Sequence, residues 1–480
     1  MQRKIIAKTE FLLLLHFKFM EHYKMIALWD KPFGYKHVLK VSMPLAISMA
    51  STTIMQVTDR IFLGRYSVEA IAAALPAGIL SFLFISFFMG VASYINVFIA
   101  QYTGAAKPEK VAASLWQGIY FSLGAWVLLA AMAYTLTPLL VSGGHPPEVL
   151  ELEIQYFRIL MLGAGLPVLD TALSGFYSGR GLTRTVMVVN MIGAAVNIPL
   201  DYALINGVWF FPEMGIRGAG IATVTATAVI VLIYCPLIFS RRNEELYKIR
   251  SKFHFDFVLF KRFIKYGLSN GIQFFLDIFA ITFFVYMVGR LGTIVLAASN
   301  IALSIDGISF FPAYGIAVGV STLVGQAIGQ GRPDYAKRAT KCALHITCVW
   351  MLFMGLVYLT IPDILISMFR PGDLTDAQFG DVLEHGRVFL MFMIVYILFD
   401  GVALVYSGAL KGAGDVVFVM KSVGLFCLTV MVIPCYIGVE VIEAGPYFLW
   451  GIFAVYVLVL SFAFYFRFKS GKWEKMKVIE

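Results

Sequence analysis

Twelve stretches of eighteen or more mostly apolar residues, parted by short polar breaks, leave this 480-residue chain few ways to fold. A helix crossing a bilayer needs about 20 such residues, and in hydrocarbon its backbone must be hydrogen-bonded within the segment. The runs lie near 38–62, 71–99, 114–140, 154–178, 184–207 and 216–239, then 261–288, 294–328, 339–368, 386–409, 416–438 and 446–467. The weakest break is the fourth, marked only by Ser178-Gly179-Arg180-Gly181, a polar turn with glycines. With 60% hydrophobic and 14% charged residues, the chain departs from the roughly 45–50% and 25% of soluble domains. That excludes a disordered chain, a nucleic-acid-binding module and an ordinary soluble enzyme. The expectation is an all-α polytopic membrane protein in contact with the lipid bilayer.

Orientation follows from the basic residues, which collect in cytoplasmic loops. With the N-terminus inside, residues 1–37 with Lys40 hold eight Lys and Arg, and 107–110, 180–184, 241–265, 332–341 and 411–421 hold two, two, eight, four and two. The C-terminal tail holds five, so 31 of the 38 fall inside. Six fall outside and Arg60 sits at a helix end, while the outer loops carry Glu148, Glu151, Glu153, Asp373, Asp376, Asp381 and Glu384. An even number of spans puts both termini in the cytoplasm, as expected of a multi-pass protein of the cell membrane. Residues 1–37 read either as a basic, partly amphipathic segment on the inner leaflet or as an upstream extension before a true start at Met20 or Met25.

Sliding the chain against itself gives a gapless match at an offset of 225 residues. Ten of the 48 positions from 61 to 108 are identical, among them Gly64-Arg65 with Gly289-Arg290 and Gly90 with Gly315. Gln101, Gly104 and Pro108 likewise meet Gln326, Gly329 and Pro333. A repeat of six crossings returns to the same side, so the copies are parallel, related by an axis along the membrane normal. The expected units are a cytoplasmic segment 1–37, an N-lobe 38–240 of helices 1–6, a loosely structured linker 241–260, a C-lobe 261–468 of helices 7–12 and a tail 469–480. Two six-helix lobes around a cavity suit an alternating-access carrier, although duplication also builds channels and scaffolds.

Six acids fall inside spans: Asp59, Asp170, Asp201, Asp277, Asp306 and Asp400. A carboxylate at the bilayer centre costs at least ~2.5–3.5 kcal/mol, and no lysine is expected at comparable depth. Such acids must hold a proton, bind a cation or line water. Asn190, Asn197 and Asp201 span about 40° of helical arc, and Asn270, Gln273 and Asp277 form a similar stripe. Tyr396, Asp400 and Ser407 form a third, and Gln56 precedes Asp59 by about one turn. For the amides alone, interhelical hydrogen bonding serves equally well. Asp170, with Thr171 and Ser174, and Asp306 read as cavity residues or local packing partners. Pro44 and Pro199 lie inside spans and permit bends. Cys342, His345 and Cys348 share three-residue spacing but lack a fourth ligand, so no metal beyond Na+ and no cofactor is expected. A Ser-His pair or Gly-rich phosphate loop is missing from the sequence, which argues against an enzyme.

Together these residues resemble the multidrug and toxic compound extrusion family. The matching positions are Pro44 with Gln56-x-x-Asp59, Ala100-Gln101-x-x-Gly104-Ala105, Arg180-Gly181, Asn197-Ile-Pro-Leu-Asp201-Tyr202 and Gly215-Ile-Arg-Gly218. In the second lobe they are Gly267 ahead of Asp277, Gly325-Gln326-x-x-Gly329, and Asp400-x7-Gly408 leading to Lys411-Gly-Ala-Gly-Asp415. The resemblance covers about 38–468. It implies export of organic cations or amphipathic drugs in exchange for Na+ or H+, by a protein expected to act as a monomer. It further implies an N-lobe cation or proton site at Asp59, Asn197 and Asp201, joined by Thr223, as in archaeal and DinF-like members. Asp277 and Asp400 match the C-lobe acidic pair of NorM-like members, where many have Glu at the first position. Gln56, Asp170, Thr223, Gln273, Asp306 and Tyr396 are the secondary, cavity-lining candidates. Arg60 stands where a small residue is usual and is placed to pair with Asp59. A flippase for a lipid-linked or specialised amphipathic metabolite is the alternative, but it calls for a cationic cavity.

Overall fold

The computed structural model describes residues 28–141, 145–370 and 376–479. Most of segment 1–37, and Asp373 of the outer acidic loop, lie outside them. Among the described residues, twelve helices are long and apolar enough to cross a membrane. The first six are α1 Tyr35–Tyr66, α2 Glu69–Gly104, α3 Pro108–Thr135, α4 Pro147–Ser178, α5 Thr183–Asn206 and α6 Ile216–Ile238. Then come α7 Phe257–Gly289, α8 Thr293–Gly329, α9 Pro333–Thr360, α10 Ala377–Ala413, α11 Val416–Glu440 and α12 Pro446–Lys469. Each expected span has its helix, most of them longer than the apolar run because polar ends extend past the hydrocarbon. Two are displaced: α3 begins at Pro108, which occupies the first turn where a missing N–H costs nothing. Likewise α9 ends at Thr360, before a short helix Pro362–Ser367. The break between α4 and α5 is a tight turn in which Gly181 takes φ +78°, closed by its N–H on the Ser178 carbonyl.

The linker is more ordered than its polarity suggests. It forms a short helix Arg241–Tyr247 and a turn at Arg250–Lys252, and docks on the first lobe. Trp116 Nε1 donates to the Ile249 carbonyl at 2.8 Å, and Arg180 donates to Asn243 Oδ1 at 3.1 Å. The Arg180 guanidinium also lies over the rings of Phe176, Tyr177 and Tyr247.

One face of the molecule carries the connections after α2, α4, α6, α8 and α10, and so most of the Lys and Arg. In the half of the bundle nearest this basic face the two lobes pack together, α1 on α8 and α2 on both α7 and α8. The contact is made backbone to backbone by repeat-related small residues. A Cβ on Gly104 would stand 2.0 Å from the Gln326 carbonyl oxygen, and one on Gly329 would stand 2.0 Å from that of Gln101. Gly90 likewise abuts Gly271, as Gly315 abuts Ala46. The opposite half is different. Along α1, residues 38–48 are largely buried, whereas 49–62 include no buried side chain. Part of α1 beyond Pro44 is therefore left uncovered by the other helices, whereas its first half is packed in the seam.

Candidate functional site

In the N-lobe, α5 packs against both α1 and α6. That brings Asp59 of α1 against Asp201 of α5, their carboxyl groups within hydrogen-bonding reach of each other. Asn197, one turn before Asp201, is fully buried, as is Asp201. With both acids ionised, the enclosed oxygens of Asp59 and Asp201, both side-chain atoms of Asn197 and the Thr223 hydroxyl have no hydrogen-bond partner among the described residues. Natural interiors leave few polar atoms unpaired, so a cluster of this kind is a place for a shared proton or a small cation. The acids touch the electrostatic surroundings of one buried tyrosine, Tyr156.

The amides of the polar stripes separate into two kinds. Asn190 Nδ2 donates to Ser48 Oγ at 2.6 Å, and Asn270 Nδ2 donates to the Gly90 carbonyl at 2.6 Å. These are interhelical ties, the second across the lobe seam. Asn197 makes none and belongs with the acids. Gln56 is exposed. Asp170 stands apart near Tyr234, with one oxygen unpartnered, while Thr171 and Ser174 bond to their own helix. Arg60 is exposed and forms no ion pair within 4.0 Å of Asp59 among the described residues, so its effect reaches the acid only through space.

In the C-lobe, α10 lies against α8 and α8 against α7, and Asp400 feels both Asp306 and Asp277. Asp306 therefore lies within electrostatic range of Asp400, its Oδ1 receiving Ser309 Oγ at 3.4 Å. The Tyr396 hydroxyl is buried near it without a hydrogen-bond partner among the described residues. Gln273 Nε2 donates to Asp277 Oδ2.

One basic group contradicts the sequence expectation that no lysine reaches the depth of the acids. Lys411 belongs to α10, not to a loop, and its Nζ donates to Gln273 Oε1 at 3.2 Å. The helical register held the clue. Lys411 follows Asp400 by eleven residues, about 20° of arc, and so shares its face.

Twelve spans among the described residues, in two repeated lobes that each hold acids within their spans, define a two-lobed membrane transporter fold. The MatE family model matches residues 44–203 and 271–437, one copy per lobe, and the chain belongs to that family of transporters. A probable multidrug resistance protein NorM of Thermotoga maritima is 25% identical over 449 residues, covering 92% of this chain and 94% of its own. One from Shewanella oneidensis is 28% identical over 389 residues, covering 80% and 82%. Among solved structures, an outward-facing conformation of a multidrug resistance MATE family transporter superposes with TM-score 0.83 at 21% identity, covering 94% of this chain and 99% of its own. A MOP superfamily transporter from Pyrococcus furiosus, described as having a binding pocket of reverse polarity, gives 0.81 at 20%, with the same coverage.

Proposed function

We propose that the chain is a secondary antiporter of the cell membrane, exporting cationic or amphipathic organic compounds in exchange for Na+ or H+ by alternating access. The observation that carries this is the acids set inside the spans of both lobes, of which Asp59 and Asp201 have enclosed oxygens without a hydrogen-bond partner among the described residues. The relatives' names, multidrug resistance protein NorM, support the substrate class. The basic face is cytoplasmic by the distribution of Lys and Arg, so the lobes are closed inside and parted outside. Ionised acids attract an organic cation, which aromatic and methionine side chains can hold. Once the acids take up H+ or Na+ from outside, that attraction is lost and the compound leaves. Inward movement of the coupling charge contributes about 2.3 kcal/mol per charge per 100 mV.

The test uses proteoliposomes carrying ethidium, with a Na+ gradient or a pH gradient imposed separately. Dye movement driven by one gradient supports the antiporter and identifies its ion. If neither gradient moves dye, the reading fails and transport of a specialised amphipathic metabolite takes its place.

A further inference from the structure

We propose that Lys411 is the positioning residue through which the charge of Asp277 controls closure of the two lobes at the basic face. The inference rests on the antiport reading and adds to it the link between ion uptake and gate.

The side chain and the backbone of Lys411 face different partners. Its ammonium donates to Gln273 Oε1 at 3.2 Å, and the amide nitrogen of the same glutamine donates to Asp277. Gln273 is thus oriented by its ends, the donor on a carboxylate and the acceptor on a cation. The ionisable groups that sense Asp277 are Asp400 and Lys411 of α10, Tyr314 of α8, Cys427 of α11 and Tyr456 of α12. Among these Lys411 alone is able to carry positive charge.

The backbone at the same place belongs to the seam. The Lys411 carbonyl accepts from the Tyr94 hydroxyl of the N-lobe at 3.1 Å. The next two carbonyls, of Gly412 and Ala413, accept from Gln101 Nε2 at 3.0 and 3.4 Å. One residue therefore joins a carboxylate inside the C-lobe to the carbonyls that hold the N-lobe. A partly buried ammonium is held inside the lobe while opposite charge is near. When Asp277 takes a proton or Na+, that compensation goes and the flexible lysine stem favours the water at the basic face. Residues 411–413 then loosen from Tyr94 and Gln101. Ion loading would open the inner side, the sense that exchange requires.

The test places one reporter cysteine, Ser321→Cys, in the seam of full-length protein whose five native cysteines are replaced by alanine. Ser321 is 7% exposed; a Cβ on Gly412 would stand 2.3 Å from its carbonyl oxygen, and Gly412 takes the Gln101 amide across the seam. Maleimide labelling is followed in proteoliposomes across Na+ concentration and across pH, alongside gradient-driven ethidium movement. In the parent, labelling should accelerate about fivefold or more on ion loading, the low end of ordinary coupling energies. Lys411→Met should flatten that response, Lys411→Arg should keep it, and Asp277→Asn should label at the loaded rate without ions. Lys411→Met added to Asp277→Asn should change nothing further. A Lys411→Met response equal to the parent's overturns the proposal, as does a parent that moves dye but labels at an ion-independent rate. A parent that moves no dye under either gradient overturns the antiport reading first, and the proposal with it. A merely structural lysine would lower yield or melting temperature while leaving the ion dependence intact.

Discussion

Gln101 and Gln326, 225 positions apart, cross the lobe seam in opposite directions, each setting its amide nitrogen on a backbone carbonyl of the other lobe. Gln101 reaches Gly412 at 3.0 Å and Gln326 reaches Gly179 at 2.9 Å. Each also lends its own carbonyl to a close pass by the other's glycine, Gly104 against Gln326 and Gly329 against Gln101. The duplicated motif is thus a self-complementary clamp, and its symmetry comes from the repeat. The glycines hold it because only a residue without Cβ admits a carbonyl oxygen so near.

Gly104→Ala and Gly329→Ala should therefore force the seam apart. A methyl group 2.0 Å from a carbonyl oxygen meets backbone, which has no rotamer to escape into. Overpacking of this kind costs about 1–3 kcal/mol, here charged to the closed state alone. Pairs of spin labels across the basic face should show a longer-distance population in either variant. An unchanged distance distribution would mean that the clamp does not hold the seam.

Asp201→Asn should abolish ion-coupled dye export, with a loss of at least about tenfold, if the N-lobe acids carry the coupling. The same change should leave thermal stability equal or higher, because it removes a buried charge whose oxygens have no donor among the described residues while Asp59 is ionised. Normal export in this variant would move the coupling role to Asp277 and Asp400. Loss of export with a lowered melting temperature would instead make Asp201 a structural residue.

The spans were legible because bilayer thickness sets a length that apolar runs must meet, and the repeat was legible because its glycines and glutamines serve contacts that tolerate nothing else. The partnership of Asp59 with Asp201 was suggested by family resemblance alone, since helical periodicity places a residue on a face but not opposite another helix. For the same reason Asn197 could not be told from Asn190 and Asn270, which share its residue type and spacing but spend their amides on neighbouring helices. Lys411 was hidden by the rule that assigns lysines to loops, although its register with Asp400 was readable. The tail was hidden by its charge. Lys472, Glu474, Lys475 and Lys477 make it look solvated, yet Trp473, Val478 and Ile479 between and after them are buried.

A clasp on the face opposite the basic one gives a pH dependence of known sign. Arg387 of α10 holds both oxygens of Asp363, in the short helix after α9, at 2.6 and 2.7 Å. The guanidinium keeps the Asp363 carboxyl below its ordinary value. The clasp's contribution is therefore fully present above the unfolded aspartate value of about 3.9 and is lost as pH falls through the lowered folded one. Arg387→Gln should lower the melting temperature slightly at pH 6, and the difference from the parent should shrink steadily as pH falls below the ordinary aspartate range. A difference that does not shrink with falling pH would assign the effect to packing of the arginine stem.

Removing the residues after Lys472 should release the basic side of the molecule. The segment leaves α12 of the C-lobe, buries Trp473 against Phe468 with ring centroids 4.7 Å apart, and ties Glu474 to Lys337 at 2.9 Å. It then crosses the seam, where the Val478 N–H donates to Gln101 Oε1 at 3.0 Å. Gln101 thereby holds the tail with its oxygen while its nitrogen holds Gly412, so the tail orients half of the clamp. Val478 and Ile479 pack into a core that also contains Val97 and Tyr102 of the N-lobe and Val416 of the C-lobe. Inward opening must pull this strap from one lobe, so deletion favours the open state. Trp473→Ala tests anchoring separately, since burial of a tryptophan is worth about 3–5 kcal/mol and its loss acts at the C-lobe end. Both variants should raise maleimide labelling of Ser321→Cys in the absence of ions and shift the ion concentration for half-maximal labelling downward. Labelling equal to the parent's in the deletion would show that the clamp closes the seam without the strap.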